Sequence, residues 1–452
     1  MRFFYLLILI FCLSSCQKGK EVNPFVVLSG TVDSEGVDYL TLFTNPRFKY
    51  HDQQEFELQL QVQKDGIFSD ILELKEGHYL LQVGNNEVNL FLKPGYDLQL
   101  KLNDSNISYE GKGAQENRYI IERDSLIAQV GGNNFYKNFS KLPEEEFLKY
   151  ADSLEKQRLQ VINRHGNIDL HLKKTEKLWA NVEKAHKFHN YSFTRETVDT
   201  SYLPSENYPH PLEELDINDE DLLNVGLFPM LIYSHFGAIA SDKGMDEWEY
   251  IVQDSFPITN SKIREVAFYT SGIFSMKSFE KLEEFYEKSQ SFIQDKEFKE
   301  AITKQFLALK ELYPGKPAPD FTLRNIENEP VSLKDFQGKI VYLDFWASWC
   351  KPCINEIPEF KKLQKKYKND KIVFVSIGIE SKKENLQKLI EKYELNGIHL
   401  FDLAKENEVK ASYSVDAIPH YVLIDKFGDI IKNFSMKPSD PRIVNQLDSL
   451  LN

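Results

Sequence analysis

The spacing of hydrophobic and polar positions changes character twice along the chain. Between residues 22 and 112 the period is two. Phe56, Leu58, Leu60 and Val62 alternate with Glu57, Gln59 and Gln61, and Leu98, Leu100 and Leu102 alternate again further on. Such a period turns one face of an extended strand to a core and the other to water. Asp65-Gly66, Gly84-Asn85-Asn86 and Pro94-Gly95 punctuate the runs as turns. Short strands at this spacing predict a small antiparallel β-sandwich or barrel.

From 113 to 312 the apolar positions recur at helical spacing. Glu144-Glu145-Glu146 opens one helix, where the unpaired N–H groups of a first turn favour negative charge. Residues 175–189 read as another. Residues 278–298 read as a third, with Phe279, Leu282, Phe285 and Tyr286 on one face. The proline-bearing stretch from Tyr202 to Leu215 has no period and reads as a loop. Pro314-Gly315-Lys316-Pro317-Ala318-Pro319 then marks a linker, after which strands and helices alternate. Short strands fall at 321–323 and 331–333. The run 339–346 is nearly continuously apolar and 372–379 is the next such run, as buried central strands are. Helices are expected over 350–367, 382–393 and 441–451, with a hairpin around Lys426-Phe427-Gly428-Asp429. The 452 residues thus read as multidomain: a β-rich N-terminal sandwich or barrel (22–112), an α-helical middle region (113–312) and a C-terminal α/β domain (313–452).

The first residues read as an address. Met1-Arg2 precedes a short apolar run that ends at Leu13, which fits a signal peptide over 1–15 and falls short of the roughly 20 residues of a spanning helix. Leu13-Ser14-Ser15-Cys16 is similar to the bacterial lipobox, so Cys16 is the expected lipidation site and 16–21 a lipidated tether. Disulfide chemistry is permitted in the space this implies.

Composition excludes some functions. A net charge of −14 argues against nucleic acid as a partner, because phosphate binding needs a basic face. Glu183-x-x-His186, with His189 nearby, matches half of a bundle metal motif, but no second copy exists. No metal is expected there, and the residues read as a solvated helix face. The 13% aromatic content reads as core filling.

The chemistry concentrates at Leu343-Asp344-Phe345-Trp346-Ala347-Ser348-Trp349-Cys350-Lys351-Pro352-Cys353. A buried strand here delivers two thiols to the first turn of a helix. Unpaired N–H groups at that turn stabilise a thiolate, which makes Cys350 the attacking nucleophile and Cys353, one turn on, the resolving thiol. A zinc ribbon would need a second Cys pair, and haem attachment a His where Ile354 stands. Asp344 on the strand and Glu356 on the helix are candidate proton acceptors. Either could instead be structural, Asp344 as a solvated strand residue and Glu356 as a favourable early-helix acid.

Pro317-x-Pro319-x-Phe321, Gly338-Lys339, the Trp346–Cys353 motif, Glu356-x-Pro358 and Ile418-Pro419 together resemble the thioredoxin superfamily, specifically its TlpA/ResA-like membrane-tethered branch. The resemblance covers about 313–452 and implies a thioredoxin fold there. It also implies a redox disulfide between Cys350 and Cys353, with no cofactor. Substrate contacts are implied at Trp349, Ile418 and Pro419, with a cis Ile418–Pro419 bond whose Ile418 backbone pairs with an extended substrate. Asp344 falls at the thioredoxin buried acid, and an acid at Glu356 tunes the thiols in the TlpA/ResA-like branch. Which of the two acts stays open. The implied partners are protein thiols and disulfides and an upstream membrane electron donor. The expected function is that of a lipid-anchored, periplasm-facing thiol:disulfide oxidoreductase of the cell envelope, working as a reductant. Oxidase or isomerase chemistry and an adaptor role for the N-terminal regions are the alternatives. Residues 22–112 resemble an uncharacterised domain found ahead of thioredoxin modules in bacterial lipoproteins.

Overall fold

A computed structural model describes residues 24–33, 37–45, 56–84, 86–103, 106–129, 139, 141–199, 201–276, 279–368, 371–403 and 408–451. The expected signal segment, Cys16 and its tether lie outside the described residues. No helix among the described residues is long and apolar enough to cross a membrane. The chain divides into two compact units, Met1–Ala238 with Ile258–Ile263, and Ile239–Pro257 with Arg264–Asn452.

In the first unit, strands β1 (Phe25–Asp33), β2 (Tyr39–Thr44), β3 (Glu57–Gln61), β4 (Ile67–Glu73), β5 (Gly77–Val83), β6 (Asn86–Leu92), β7 (Asp97–Asn103) and β8 (Ile107–Lys112) form two four-stranded sheets, ordered β4-β1-β7-β8 and β3-β2-β5-β6. Their inward positions, among them Leu28, Leu42, Leu81, Leu90 and Leu98, share one core. The sandwich is as the period predicts, but it is not wholly antiparallel. The chain crosses through the second sheet between β1 and β7, so β7 returns parallel to β1. Gly30 permits this pairing, since a Cβ there would meet the Leu100 carbonyl oxygen at 2.0 Å.

Helices α1 (Ala114–Gln129), α2 (Glu144–Arg164) and α3 (Leu170–Val198) follow. Asn117 docks α1 on β6, accepting from the Phe91 N–H at 2.9 Å and donating to its carbonyl at 3.0 Å. Asp169 caps α3 by accepting from the N–H groups of His171 and Leu172, so the helix runs well beyond the expected 175–189.

The face carrying Glu183 is half-buried rather than solvated, contrary to the sequence expectation. Glu183 is ion-paired with Arg158 of α2 and Lys187. Two turns earlier, Glu176 is 1% exposed and pairs with Arg123 of α1, while the Tyr119 hydroxyl donates to it at 2.7 Å. Burial alone would raise the Glu176 pKa, but Arg123, Arg158 and the hydrogen bond from Tyr119 outweigh it and hold the carboxyl below its usual range. His78 of β5 is pushed down to about 3 by burial and is therefore neutral. Periodicity could not reveal this network, because its members sit at ordinary amphipathic positions and become partners only when sheet and helices pack. Removing one partner strands a buried charge, which costs about 3–5 kcal/mol. Replacing Arg123 with Met is expected to speed native-state hydrogen exchange in α3 accordingly. A change below about 1 kcal/mol would contradict the role given to the network.

The chain continues through α4 (Phe228–Asp242). In the second unit, α5 (Glu247–Ile251), α6 (Ser261–Ser275, from Arg264 on), α7 (Leu282–Phe292) and α8 (Lys296–Lys310) hold an aromatic core in which Phe268 stacks on Phe285 at 4.9 Å and Trp248 meets Phe285 edge-on at 5.9 Å. The single helix expected over 278–298 is broken. A 3₁₀ turn covers Phe279–Lys281, and Asp295 starts α8 by accepting from the Phe298 N–H.

The rest is a seven-stranded sheet, β10-β9-β13-β12-β11-β14-β15. Its strands are β9 (Thr322–Arg324), β10 (Pro330–Ser332), β11 (Ile340–Trp346), β12 (Ile372–Ile379), β13 (Ile398–Asp402), β14 (His420–Ile424) and β15 (Ile430–Lys432). The helices of this part are α9 (Lys351–Lys366), α10 (Lys383–Tyr393), α11 (Glu408–Ser412) and α12 (Arg442–Leu451). β11 runs parallel to β12 and antiparallel to β14 at the centre. Both sheet faces are covered: Leu343, Phe345 and Val375 pack on one side, Tyr342, Phe374 and Leu363 on the other. This explains why β11 and β12 read as unbroken apolar runs.

Candidate active site

β11 ends at Trp346, and a tight turn brings Cys350 to the N-cap of α9. Cys350 and Cys353 are joined in a disulfide, with Cα atoms 5.3 Å apart. The Cys353 N–H points at the Cys350 sulfur at 3.2 Å, so the donor that would hold a Cys350 thiolate is already in place. Pro352, in the first turn of the helix, removes an N–H that has no helical partner. Cys350 is 2% and Cys353 5% exposed, whereas Trp349 is 60% exposed.

The turn before Cys350 is held from the side. The Ser348 N–H donates to the Ser381 hydroxyl at 2.9 Å, and the Trp349 indole N–H donates to the Glu380 carbonyl at 2.9 Å. Glu380 adopts a positive φ of 45°, and its carboxylate pairs with Lys410. The sequence reading missed this corner.

Ile418–Pro419 is a cis peptide bond. Ile418 packs against the cluster that contains both cysteines, Trp346, Ala347 and Phe401, so the loop lies beside the disulfide. His420 is buried against Phe345 and Phe434.

The two acids have different surroundings. Asp344 sits mid-strand, opposite Ser376 of β12 and Tyr421 of β14. Although part of its side chain still meets solvent, burial dominates and pushes the carboxyl up to about 7. Glu356 repels it further, while the hydrogen bond from Ser376 (3.3 Å) pulls the other way. Ser376 also escaped the sequence reading, although it is the one hydroxyl in the apolar run 372–379. Glu356 is tied down. Its carboxylate accepts from the Ser439 N–H and hydroxyl, both at 2.9 Å, and pairs with Lys437 at 3.4 Å. Because the Glu356 charge raises Asp344, Glu356→Gln is expected to move the Asp344 titration to lower pH, by up to about one unit. NMR titration of the Asp344 carboxyl carbon checks this, and an upward or absent shift would contradict the coupling.

No group of His, Cys, Asp and Glu residues suited to a metal ion occurs among the described residues. Glu183 and His186 are thus part of the ion network and its surroundings, remote in sequence from the thiols.

Comparison with known proteins matches this domain. A family model described as Redoxin matches residues 313–451 and leaves the N-terminal region unassigned. The thiol-disulfide oxidoreductase ResA of Bacillus thuringiensis subsp. konkukian is 31% identical over 136 residues, which cover 30% of this chain and 78% of that one. ResA of Geobacillus thermodenitrificans is 32% identical over 136 residues, covering 30% and 77%. The thioredoxin-like protein YneN of Bacillus subtilis is 37% identical over 119 residues, covering 26% and 68%. Among solved structures, a thiol-disulfide oxidoreductase from Bacteroides vulgatus aligns with a TM-score of 0.29 at 33% identity, covering 31% of this chain and 98% of that one. With a buried strand, a disulfide at the helix N-cap and the ResA relatives, the chain belongs to the TlpA/ResA-like thiol:disulfide oxidoreductases of the thioredoxin superfamily.

Proposed function

We propose that the protein is a lipid-anchored, extracytoplasmic reductant of protein disulfides. The observation that carries the reading is the Cys350–Cys353 disulfide at the N-cap of α9, with the Ile418–Pro419 loop packed beside it. In the reduced protein, the Cys350 thiolate attacks one sulfur of a substrate disulfide. A mixed disulfide forms and the other substrate sulfur leaves as a thiolate, which takes up a proton. The Cys353 thiol loses its proton to Asp344 and attacks the Cys350 sulfur, which frees the second substrate thiol. Two electrons have then passed to the substrate, and the protein carries the intramolecular disulfide. A membrane electron donor returns it to the dithiol.

Within this reading Trp349 and the backbone of Ile418 and Pro419 receive the substrate, the latter by strand addition. Asp344 moves the proton. Glu356, held by Ser439 and Lys437, sets the field in which Asp344 titrates. On this reading residues 1–15 act as a signal peptide and a lipidated Cys16 tethers the domain to a membrane surface in the cell envelope.

The test is equilibration of the purified protein with glutathione buffers. A reductant is expected to show a potential nearer about −270 mV than about −120 mV. A value at the oxidising end would overturn the direction. For the anchor, Cys16→Ala is expected to release the protein from sedimented membranes, and retention would refute lipidation.

A further inference from the structure

Residues 361–371 hold six lysines in eleven positions, against 55 Lys and Arg among the chain's 452. Six lysines less the one acid of the stretch, Asp370, leave it at +5. Lys361, Lys362 and Lys365 sit on the last turns of α9 and Lys368 follows it. These four line a groove of about 800 Å³ whose other walls are the start of β12 and the turn at Gly397. No described Asp or Glu lines it. Lys362 is engaged by Glu359, and Lys366, beside the groove, by Asp448. The Lys361 amine donates to the Tyr393 carbonyl at 2.6 Å, which satisfies a donor but leaves the charge unmatched. Lys365 and Lys368 are exposed, and like Lys361 they form no ion pair among the described residues. The neighbouring end of α10 adds no net charge, since Lys388 and Lys392 balance Glu391 and Glu394.

We propose that this groove is a docking face for the anionic headgroups of a lipid bilayer. The contact goes beyond the tether proposed at Cys16 and is tested without it. Residue type is the first argument. Every cation of the stretch is a lysine. A lysine amine is a point charge on a flexible stem, suited to a diffuse layer of phosphates, whereas the planar fork of arginine suits the fixed carboxylates of a protein partner. Position is the second. The groove lies where β12 begins, and Ile372 there pairs with Ile340 at the start of β11. The cysteines follow the opposite end of β11. Seven strand residues put about 20 Å between the two ends. A bilayer at the basic end therefore leaves Trp349 and Cys350 on the far side, open to protein disulfides. Magnitude is the third. Each lysine near an anionic surface raises the affinity about fivefold, so three unmatched ones give roughly a hundredfold. The chain's charge of −14 opposes this, but in about 0.1 M salt charges more than about 10 Å away are largely screened, so the local lysines decide.

The test is sedimentation of the unlipidated chain from Gln17 on, which keeps every described residue. The vesicles are phosphatidylcholine alone or with about 30% phosphatidylglycerol, in about 0.1 M salt. Phosphatidylglycerol is expected to raise the partition coefficient by about tenfold or more, and about 0.5 M salt to reverse the rise. The double variant Lys365→Glu, Lys368→Glu should lose the rise and keep the wild-type rate of insulin reduction, which shows that it is folded. Wild type bound to vesicles should also reduce insulin at its unbound rate. Equal partition onto both vesicle types, or a rise that the double variant retains, would overturn the proposal. Tighter retention on polyglutamate-coated beads than on the phosphatidylglycerol vesicles would assign the groove to an acidic protein and overturn it as well. Insulin reduction blocked by the vesicles would contradict the placement of the cysteines away from the bilayer.

Discussion

Replacing Cys350 with Ser is expected to abolish insulin reduction, with a loss on the order of a thousandfold or more. A hydroxyl at the N-cap of α9 faces the same N–H donor, but it does not ionise near neutral pH and forms no disulfide. The fold should survive the change, because Ser is itself a favourable N-cap residue. Residual exchange above a few per cent of wild type, in a variant with an unchanged unfolding transition, would move the chemistry away from Cys350.

The second large effect concerns Asp344. In the proposed mechanism Asp344, as a carboxylate, takes the Cys353 proton, so the rate of disulfide release should fall as pH drops below about 7, the value to which burial raises this group. Asp344→Asn is expected to slow that step by about 10²-fold and to flatten its pH profile. Stability should move the opposite way. The folded state holds a proton on Asp344 up to about pH 7, whereas the unfolded chain releases it near 3.8. The native state therefore binds more protons between these values, and stability falls as pH rises through that window. At pH 8 the Asn variant should be the more stable, by up to about 4 kcal/mol, with the difference gone below about pH 4. A variant that is slower but no more stable at pH 8 would show that Asp344 is not held at a cost. A variant that is more stable but equally fast would assign the proton transfer elsewhere, with Glu356 the first candidate.

The legibility of the sequence followed local physics. β11, β12 and α9 were readable to within a residue or so, since a strand buried on both faces is continuously apolar and a helix after Cys-x-x-Cys carries its own amphipathic repeat. The two thiols and the two acids were readable as residue types at fixed spacing. What holds them was not. Ser376 reaches Asp344 across a strand pairing, Ser439 reaches Glu356 across 83 residues, and Glu380–Ser381 meets the Trp349 turn across 31–33. Each is an isolated polar residue whose partner is set by topology. The same limit hid the Arg123–Glu176–Arg158 network and the parallel β1–β7 pair. β13 escaped because a short strand after Gly397, interrupted by His399, carries little period of its own.

The most direct measurement is the intact mass of the reduced Cys353→Ser protein after mixing with oxidised insulin. The account predicts a covalent adduct heavier by the insulin component, released by dithiothreitol and absent when Cys350 is also replaced by Ser. No adduct, or one that persists without Cys350, would contradict it.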